Sequence, residues 1–393
     1  MKILVITSRF PFPLERGDKL RAFHQIRELS AHHEVVLVAL NHGPVDPAHL
    51  ARVREECCPT VHVVELGRVA SMISMAELFV RGRPLQAGWF RTRAAVAEVD
   101  RIIEQEQPDH LYCQLIRTAE FARGRSIPST IDYQDAFSTS TARRAERSSF
   151  PMSWLLRLEA RRVARAEAAA FEDFDHQVII STQDRDSLRF PGADHVEVVT
   201  NGVDTAEFHP MPPPDRLHDI AFVGNMGYAP NVRAAGMLVE EILPLVRAAR
   251  PDADVLLAGA RPHRSVRALE GPGVEVSGWI DDIRDAYRAG RVMVAPLMIG
   301  AGQQNKILEA MAMGVPCVTT DLVNSAIGAT PGREIFVAGD AEEFAEQVLV
   351  LLSDAELRER VAGAARDFVT RNYSWPSIGT RLDTVMSEGR RVR

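Results

Sequence analysis

The chain has 393 residues, 46% hydrophobic and 25% charged, the composition of a globular protein with two domains of ordinary size. A formal net charge of -7 excludes nucleic acid as a main partner. The four cysteines, Cys57, Cys58, Cys113 and Cys317, form no CxxC pair, which excludes a zinc site or a secreted disulfide framework as the organising feature.

The N-terminus runs from Ile3–Ile6 straight into Thr7, Ser8 and Arg9, too short an apolar stretch for a signal-peptide core. No run of about 18 apolar residues occurs, so a cytoplasmic protein is expected, with peripheral contact at the inner face of the membrane left open. Residues 2–7 form the first expected strand, 19–29 an amphipathic helix and 34–40 the next strand. Strands follow at 110–113, 130–132, 177–180 and 196–199. The stretch 141–173 is rich in arginine, with Phe150, Trp154, Leu155 and Leu156 between the charges. It reads either as one solvated helix laced with pairs to Glu159 and Glu167, or as a basic amphipathic surface for anionic lipid. The proline-rich segment 209–216 forbids a helix or central strand and is expected to be a linker. Beyond it, strands at 220–223, 255–258, 274–276, 292–295 and 316–319 alternate with helices at 232–250, 305–313, 342–353 and 355–372. A final helix is expected at 375–385.

Alternating strands and helices predict an α/β protein of two Rossmann-like, doubly wound domains, with sites at the carboxyl ends of the strands and a cleft between two sheets. The expected boundaries are 1–208 and 217–374, with 375–393 as a helix returning to the first domain. That return rests partly on Trp375, with Ile378, Leu382 and Val385 at helical spacing.

The segment Gly300 to Pro316 carries the strongest chemical signal. Gly300 and Gly302 make a loop whose backbone can approach a ligand closely, and a helix starts directly after it. The free N–H groups and positive end of such a helix suit a diphosphate. Lys306 stands in the first turn, where a cation opposes the helix dipole unless an anion is bound. Glu309, one turn on, can accept both hydroxyl protons of a ribose. Gly314 and Pro316 end the helix. In the first half, Ser8 to Asp18 and the Asp132 to Asp135 segment each follow a strand. Asp135 reads as a group that orients or deprotonates an acceptor hydroxyl, or as a helix cap. Asp281 and Asp282 read as caps for a helix from Ile283 rather than as metal ligands, and no metal is expected.

These motifs resemble the retaining glycosyltransferases of family 4, which have the GT-B architecture. Lys306, Glu309-Ala310-Met311-Ala312 and Gly314-Val315-Pro316 are similar to their donor-site helix. Asn201-Gly202-Val203-Asp204 is similar to the turn closing their first domain, and Phe222 to Met226 with Pro230-Asn231 to the opening of their second. Val276 to Asp282 resembles the loop near the nucleotide base. Gly17-Asp18-Lys19-Leu20-Arg21, Arg83-Pro84-Leu85 and Gln304-Asn305-Lys306 are similar to bacterial enzymes of exopolysaccharide and exosortase-linked gene sets. The resemblance implies transfer of a sugar, with retention, from a nucleotide diphosphate donor such as a UDP- or GDP-sugar. The acceptor would be a glycan, a lipid-linked molecule or a small molecule. Implied donor contacts are Gly224, Asn225, Gly278, Trp279, Gly302, Gln303, Gln304, Asn305, Lys306 and Glu309. Lys306, Asp135 and Arg9 are the implied catalytic groups, and Gly17, Asp18 and Arg21 the acceptor-side loop. Ala301 stands where the family often has Glu, Gln303 and Gln304 where many members have Arg, and Ser325-Ala326 where relatives have Glu-Gly. Arg9 or Arg21 is the expected source of a second charge for the diphosphate. A nucleotide-binding member without catalysis, and an epimerase or phosphorylase on the same fold, are the alternatives.

Overall fold

The computed structural model describes residues 1–212, 214–299 and 303–387. The chain divides into two compact units, one of residues 1–201 and 378–393, the other of residues 202–377.

The first unit is built on a seven-stranded sheet: β1 Lys2–Thr7, β2 Glu34–Asn41, β3 Thr60–Glu65, β4 His110–Gln114, β5 Ser129–Asp132, β6 His176–Ile179 and β7 Glu197–Val198. Its order is β3-β2-β1-β4-β5-β6-β7, and each pairing is parallel. Helices cover both faces of such a sheet, which is why β1 and β2 are near-continuous apolar runs, buried from Ile3 to Ile6 and from Val35 to Leu40. The second unit carries a six-stranded sheet: β8 His218–Val223, β9 Val255–Ala258, β10 Val274–Gly278, β11 Gly290–Ala295, β12 Cys317–Thr319 and β13 Phe336–Val337. It too is parallel, in the order β10-β9-β8-β11-β12-β13. In each sheet the winding reverses beside the first strand, between β1 and β4 and between β8 and β11. A ligand crevice forms at the carboxyl ends of the strands at such points.

The structure departs from the sequence expectations in several places. Strands β3 and β13 are additional; β3 lies at a sheet edge and β13 has two residues, so each carries little periodic signal. The arginine-rich stretch is two helices, Phe137–Glu146 and Met152–Asp173, not one. Pro151 disfavours helical geometry at Phe150 and divides them. The acidic partners expected on its solvent face are buried instead. Glu159 accepts from the Leu85 N–H, and Glu167 from the Ser138 N–H and hydroxyl.

The first unit ends at Asn201, not at residue 208. Val203 bridges in parallel to Ser374 and donates to the Tyr373 carbonyl, which ties the chain after Asn201 into the second unit. The proline segment holds to that unit as well. Phe208 and Met211 pack on its core, and Arg288 donates to the Pro212 carbonyl.

The last helix, Trp375–Ser387, begins with Trp375 buried against Gly202, where a Cβ would come within 2.6 Å of the indole. From Ile378 onward the helix belongs to the first unit. Ile378, Leu382 and Val385 are buried there, and Asp383 meets His33 at 2.8 Å. Gly379 lies so close to helix Gly17–Ser30 that a Cβ would sit 2.5 Å from the Cβ of Glu28. Leu382→Ala is expected to cost about 2–5 kcal/mol, as for other fully buried leucines, and to lower the first melting transition in calorimetry.

Candidate functional site

The carboxyl end of β8 opens into a pocket of about 680 Å³ within the second unit. Its floor is formed by two glycines in close approach. Gly259 has a φ of +140°, and a Cβ there would lie 1.8 Å from the carbonyl oxygen of Gly224. A Cβ on Gly224 would in turn lie 3.0 Å from the Lys306 amine and 2.9 Å from the Asn231 amide. No side chain fits at either glycine without displacing the backbone or the lysine.

Lys306 lies in the first turn of helix Asn305–Ala312 and reaches back over this floor. Its Nζ donates to Asn231 Oδ1 at 2.6 Å and sits 5.3 Å from the ring centroid of Phe222. Asn231 Nδ2 donates to the Asn225 carbonyl, which fixes the amide so that its oxygen faces the lysine. Among the described residues no carboxylate pairs with Lys306. Burial pushes its pKa down to about 8, against a smaller opposing pull from Glu309. Glu309 lies one turn further on. Its Oε2 accepts from the Tyr287 hydroxyl at 2.6 Å, and burial raises its pKa despite that bond. The other carboxylate oxygen remains for a ligand. Trp279 lines the same pocket, is 72% exposed, and its Nε1 donates to Asp281 at 2.9 Å. It follows Gly278, whose φ of +70° coincides with a register shift that turns the loop off β10.

The structure thus brings Gly224, Asn225, Trp279, Lys306 and Glu309 to one pocket. Gln303, Gln304 and Asn305 lead into the lysine helix; Gly302, like Ala301, lies outside the described residues. Asp282 caps helix Ile283–Arg288 through the Arg284 N–H. Ser325 and Ala326 sit within helix Asp321–Ile327. Sequence reasoning gave no role to Asn231 and missed Tyr287 and Arg284. Arg284 lines the pocket but is held by three bonds to Asp282. A tyrosine in a short helix on the far side of β11 from the glycine loop has no local pattern to mark it.

In the first unit, Arg9 follows β1 and pairs with Asp18 at 2.5 Å, while Gln114, ending β4, donates to the Asp18 carbonyl. Gly17 opens the helix that carries Asp18 and is exposed. Arg21 corrects an expectation. It is 1% exposed, its Nε meets Asp132 at 2.7 Å, and its remaining nitrogens donate to Val199, Thr200 and Asn201. Asp132 also accepts from Gln25, Tyr112 and the Gln134 N–H. With each nitrogen engaged, Arg21 is a structural cation and has no group to offer a diphosphate. Asp135 does not cap the following helix, whose N-cap is Ala136. Burial, with the Asp184 charge, pushes its carboxyl up to about 6 against the pull of Arg117, and its buried Oδ1 has no hydrogen-bond partner.

Among the described residues no group of three or more His, Cys, Asp or Glu could hold a metal ion, and no helix is long and apolar enough to cross a membrane.

Residues 218–354 match the family model of Glycosyl transferases group 1. The match lies within the second unit, and the two doubly wound parallel sheets are those of the GT-B fold. The chain is 21% identical over 397 residues to an uncharacterized 44.6 kDa protein in the cps region of Klebsiella pneumoniae, covering 95% of this chain and 96% of that one. Over 48% of this chain it is 26% identical to a GDP-mannose-dependent monoacylated alpha-(1-6)-phosphatidylinositol monomannoside mannosyltransferase of Corynebacterium glutamicum, of which it spans 55%. The Anabaena Alr3699/HepE protein in complex with UDP shares the fold across 99% of this chain and 100% of its own, with a TM-score of 0.67 at 15% identity.

Two outcomes follow from the two buried cations. Arg21→Met strands the Asp132 charge and is expected to cost about 3–5 kcal/mol, read by urea unfolding. Lys306→Met is expected to stabilise the ligand-free protein. A depressed lysine pKa is a penalty that is fully present below the folded pKa of about 8 and disappears as pH rises to the unfolded value of 10.5. The melting-temperature gain of Lys306→Met over wild type should therefore be largest below pH 8 and shrink above it.

Proposed function

We propose that the protein transfers a sugar, with retained anomeric configuration, from a nucleotide diphosphate donor to an acceptor hydroxyl in polysaccharide or glycoconjugate assembly in the cytoplasm. One observation carries this reading. A buried ammonium with an amide for its partner, and no carboxylate, faces a pocket of nucleotide size at the first turn of a helix. Such a cation is stabilised by a bound anion, and the helix amides add donors for the same anion.

The base would rest against Trp279, the ribose hydroxyls on Glu309, and the diphosphate between Lys306 and the helix N-terminus. At neutral pH a lysine with a pKa near 8 is mostly charged, and a diphosphate holds it so. As the bond between the anomeric carbon and the β-phosphate oxygen breaks, negative charge gathers on that oxygen. Lys306 and the helix amides oppose it without needing to move. The acceptor oxygen bonds to the anomeric carbon on the face the phosphate leaves, and its proton passes to the leaving phosphate oxygen. In the first unit, Asp135, with a pKa near 6, is the group suited to hold an acceptor hydroxyl, and Arg9 pairs with Asp18. No metal is required where a lysine and a helix end already face the phosphates.

Calorimetry with UDP, GDP and their nucleosides tests the assignment. Wild type should bind one diphosphate at least about tenfold more tightly than its nucleoside, and Lys306→Ala should abolish that difference while leaving nucleoside binding unchanged. Equal weakening of nucleotide and nucleoside would remove the diphosphate from Lys306. Product analysis with the donor that binds then separates transfer from epimerisation, phosphorolysis and binding alone.

A further inference from the structure

Outside the pocket, the first unit presents a surface that folding leaves uncovered. Helix Arg68–Val80 turns Val69, Met72, Ile73 and Val80 to solvent, with Val80 87% exposed. With the exposed Ala76 these positions have offsets of three, four, seven and eleven from Val69, so they form one continuous apolar stripe on the outer face. The opposite face buries Ser71, Ser74 and Leu78. This helix is therefore amphipathic with part of its apolar surface pointing away from the core.

A second group lies at the tip of the helical hairpin Phe137–Glu146 and Met152–Asp173. Phe150 is 81% exposed, and Met152 and Trp154 are exposed beside it. The two groups flank one seam. The Arg162 guanidinium lies 3.9 Å from the ring centroid of Phe79, and Glu159 accepts from the Leu85 N–H, so the hairpin is seated at the end of helix Arg68–Val80. Trp154 is five residues before Glu159, about 7–8 Å along the helix axis.

The charge around this surface has one dominant sign. Arg143, Arg144, Arg147, Arg157, Arg161 and Arg165 are exposed, and none forms an ion pair among the described residues. Of the acids of the long helix, Glu159 and Glu167 are buried on its inner side, and Glu172, which is exposed, and Asp173, paired with Arg123, lie at its far end. Glu146 is the exposed acid within this run. Trp154, Arg157, Arg161 and Arg165, at offsets of three, seven and eleven, share one helix face. Between the two helices a groove of about 470 Å³ is lined by Arg143, Arg161 and Arg189, with Glu146 on its wall.

We propose that this face docks on an anionic bilayer. The apolar stripe and the Phe150–Trp154 tip enter the headgroup boundary, and the arginines engage lipid phosphates, one of them in the groove. Charge decides the occupant. A protein partner's apolar patch would not balance six exposed unpaired guanidinium groups, whereas an anionic surface attracts each of them. Interfacial helices combine a basic polar face with Trp and aliphatic residues in this way.

The test is co-sedimentation of the full chain with vesicles of phosphatidylcholine alone or with about 30% phosphatidylglycerol. The chain should bind the mixed vesicles, bind plain vesicles weakly, and be released by salt. Arg143→Glu with Arg161→Glu, and separately Ile73→Glu with Trp154→Glu, should each lower partitioning at least about tenfold. These positions are exposed, so the melting curves should be unchanged, and the readout does not depend on sugar transfer. Equal weak binding to both vesicles, or variants that bind as wild type does, would overturn the proposal. So would concentration-dependent dimers lost in Ile73→Glu without vesicle binding, which would make the face a contact between copies.

Discussion

An ammonium taken out of water without a carboxylate is costly, and the second unit is arranged around keeping one. Gly224 and Gly259 approach so closely that their backbones make a floor with no side chains. Asn231, anchored to the Asn225 carbonyl, turns its oxygen to the lysine. Tyr287 draws the nearest carboxylate, Glu309, into a separate bond. Had Glu309 closed on Lys306 instead, the pair would have satisfied itself and left the pocket little reason to bind an anion. The residual positive charge is maintained by where the neighbouring hydrogen bonds go.

The first unit treats its main buried cation in the opposite way. Arg21 and Asp132 lie side by side out of water, and every nitrogen of the guanidinium and both carboxylate oxygens have hydrogen-bond partners. This cluster joins the first helix, β5 and the chain after β7, three segments far apart in sequence. It is a structural joint on the helix that also carries Asp18, one turn before Arg21. Asp135, three residues beyond Asp132, has the reverse character, with a raised pKa and an unpartnered oxygen. Two carboxylates at one strand end thus differ in kind, one held by several donors and one with an oxygen left without a partner.

The sequence carried the second unit's site because its signals are local. Lys306 and Glu309 lie in one helix, whose geometry alone puts them on the same face, whereas Gly224 and Gly259 reach the pocket from other loops. Arg21 was misjudged for the converse reason. Its position after a strand suits either a ligand or a buried acid, and Asp132 is 111 residues away. The same applies to Glu159 and Glu167, whose regular spacing suggested solvent pairs although their partners, Leu85 and Ser138, come from other elements. The one-helix reading of the arginine-rich stretch passed over Pro151, which restricts the residue before it and divides the two helices. The two doubly wound sheets followed from alternating periodicities, while edge strands as short as β13 offered too few residues to alternate.

The chain contains three lysines, Lys2, Lys19 and Lys306, and supplies its other basic charges almost entirely as arginine. At the pocket floor a planar guanidinium would have to lie where Gly224 is already within contact of the lysine nitrogen. A compact, single-nitrogen cation is what the space admits. The choice also has a chemical side. Arginine stays protonated at any accessible pH, but an amine with a pKa near 8 is about half neutral in mildly alkaline solution and is then a nucleophile. Lys2 is held in its charged form by Glu106 and Glu34. Lys306 and the half-buried Lys19 are the lysines that burial makes easier to deprotonate, and an anion on the pocket floor would hold Lys306 charged and unreactive.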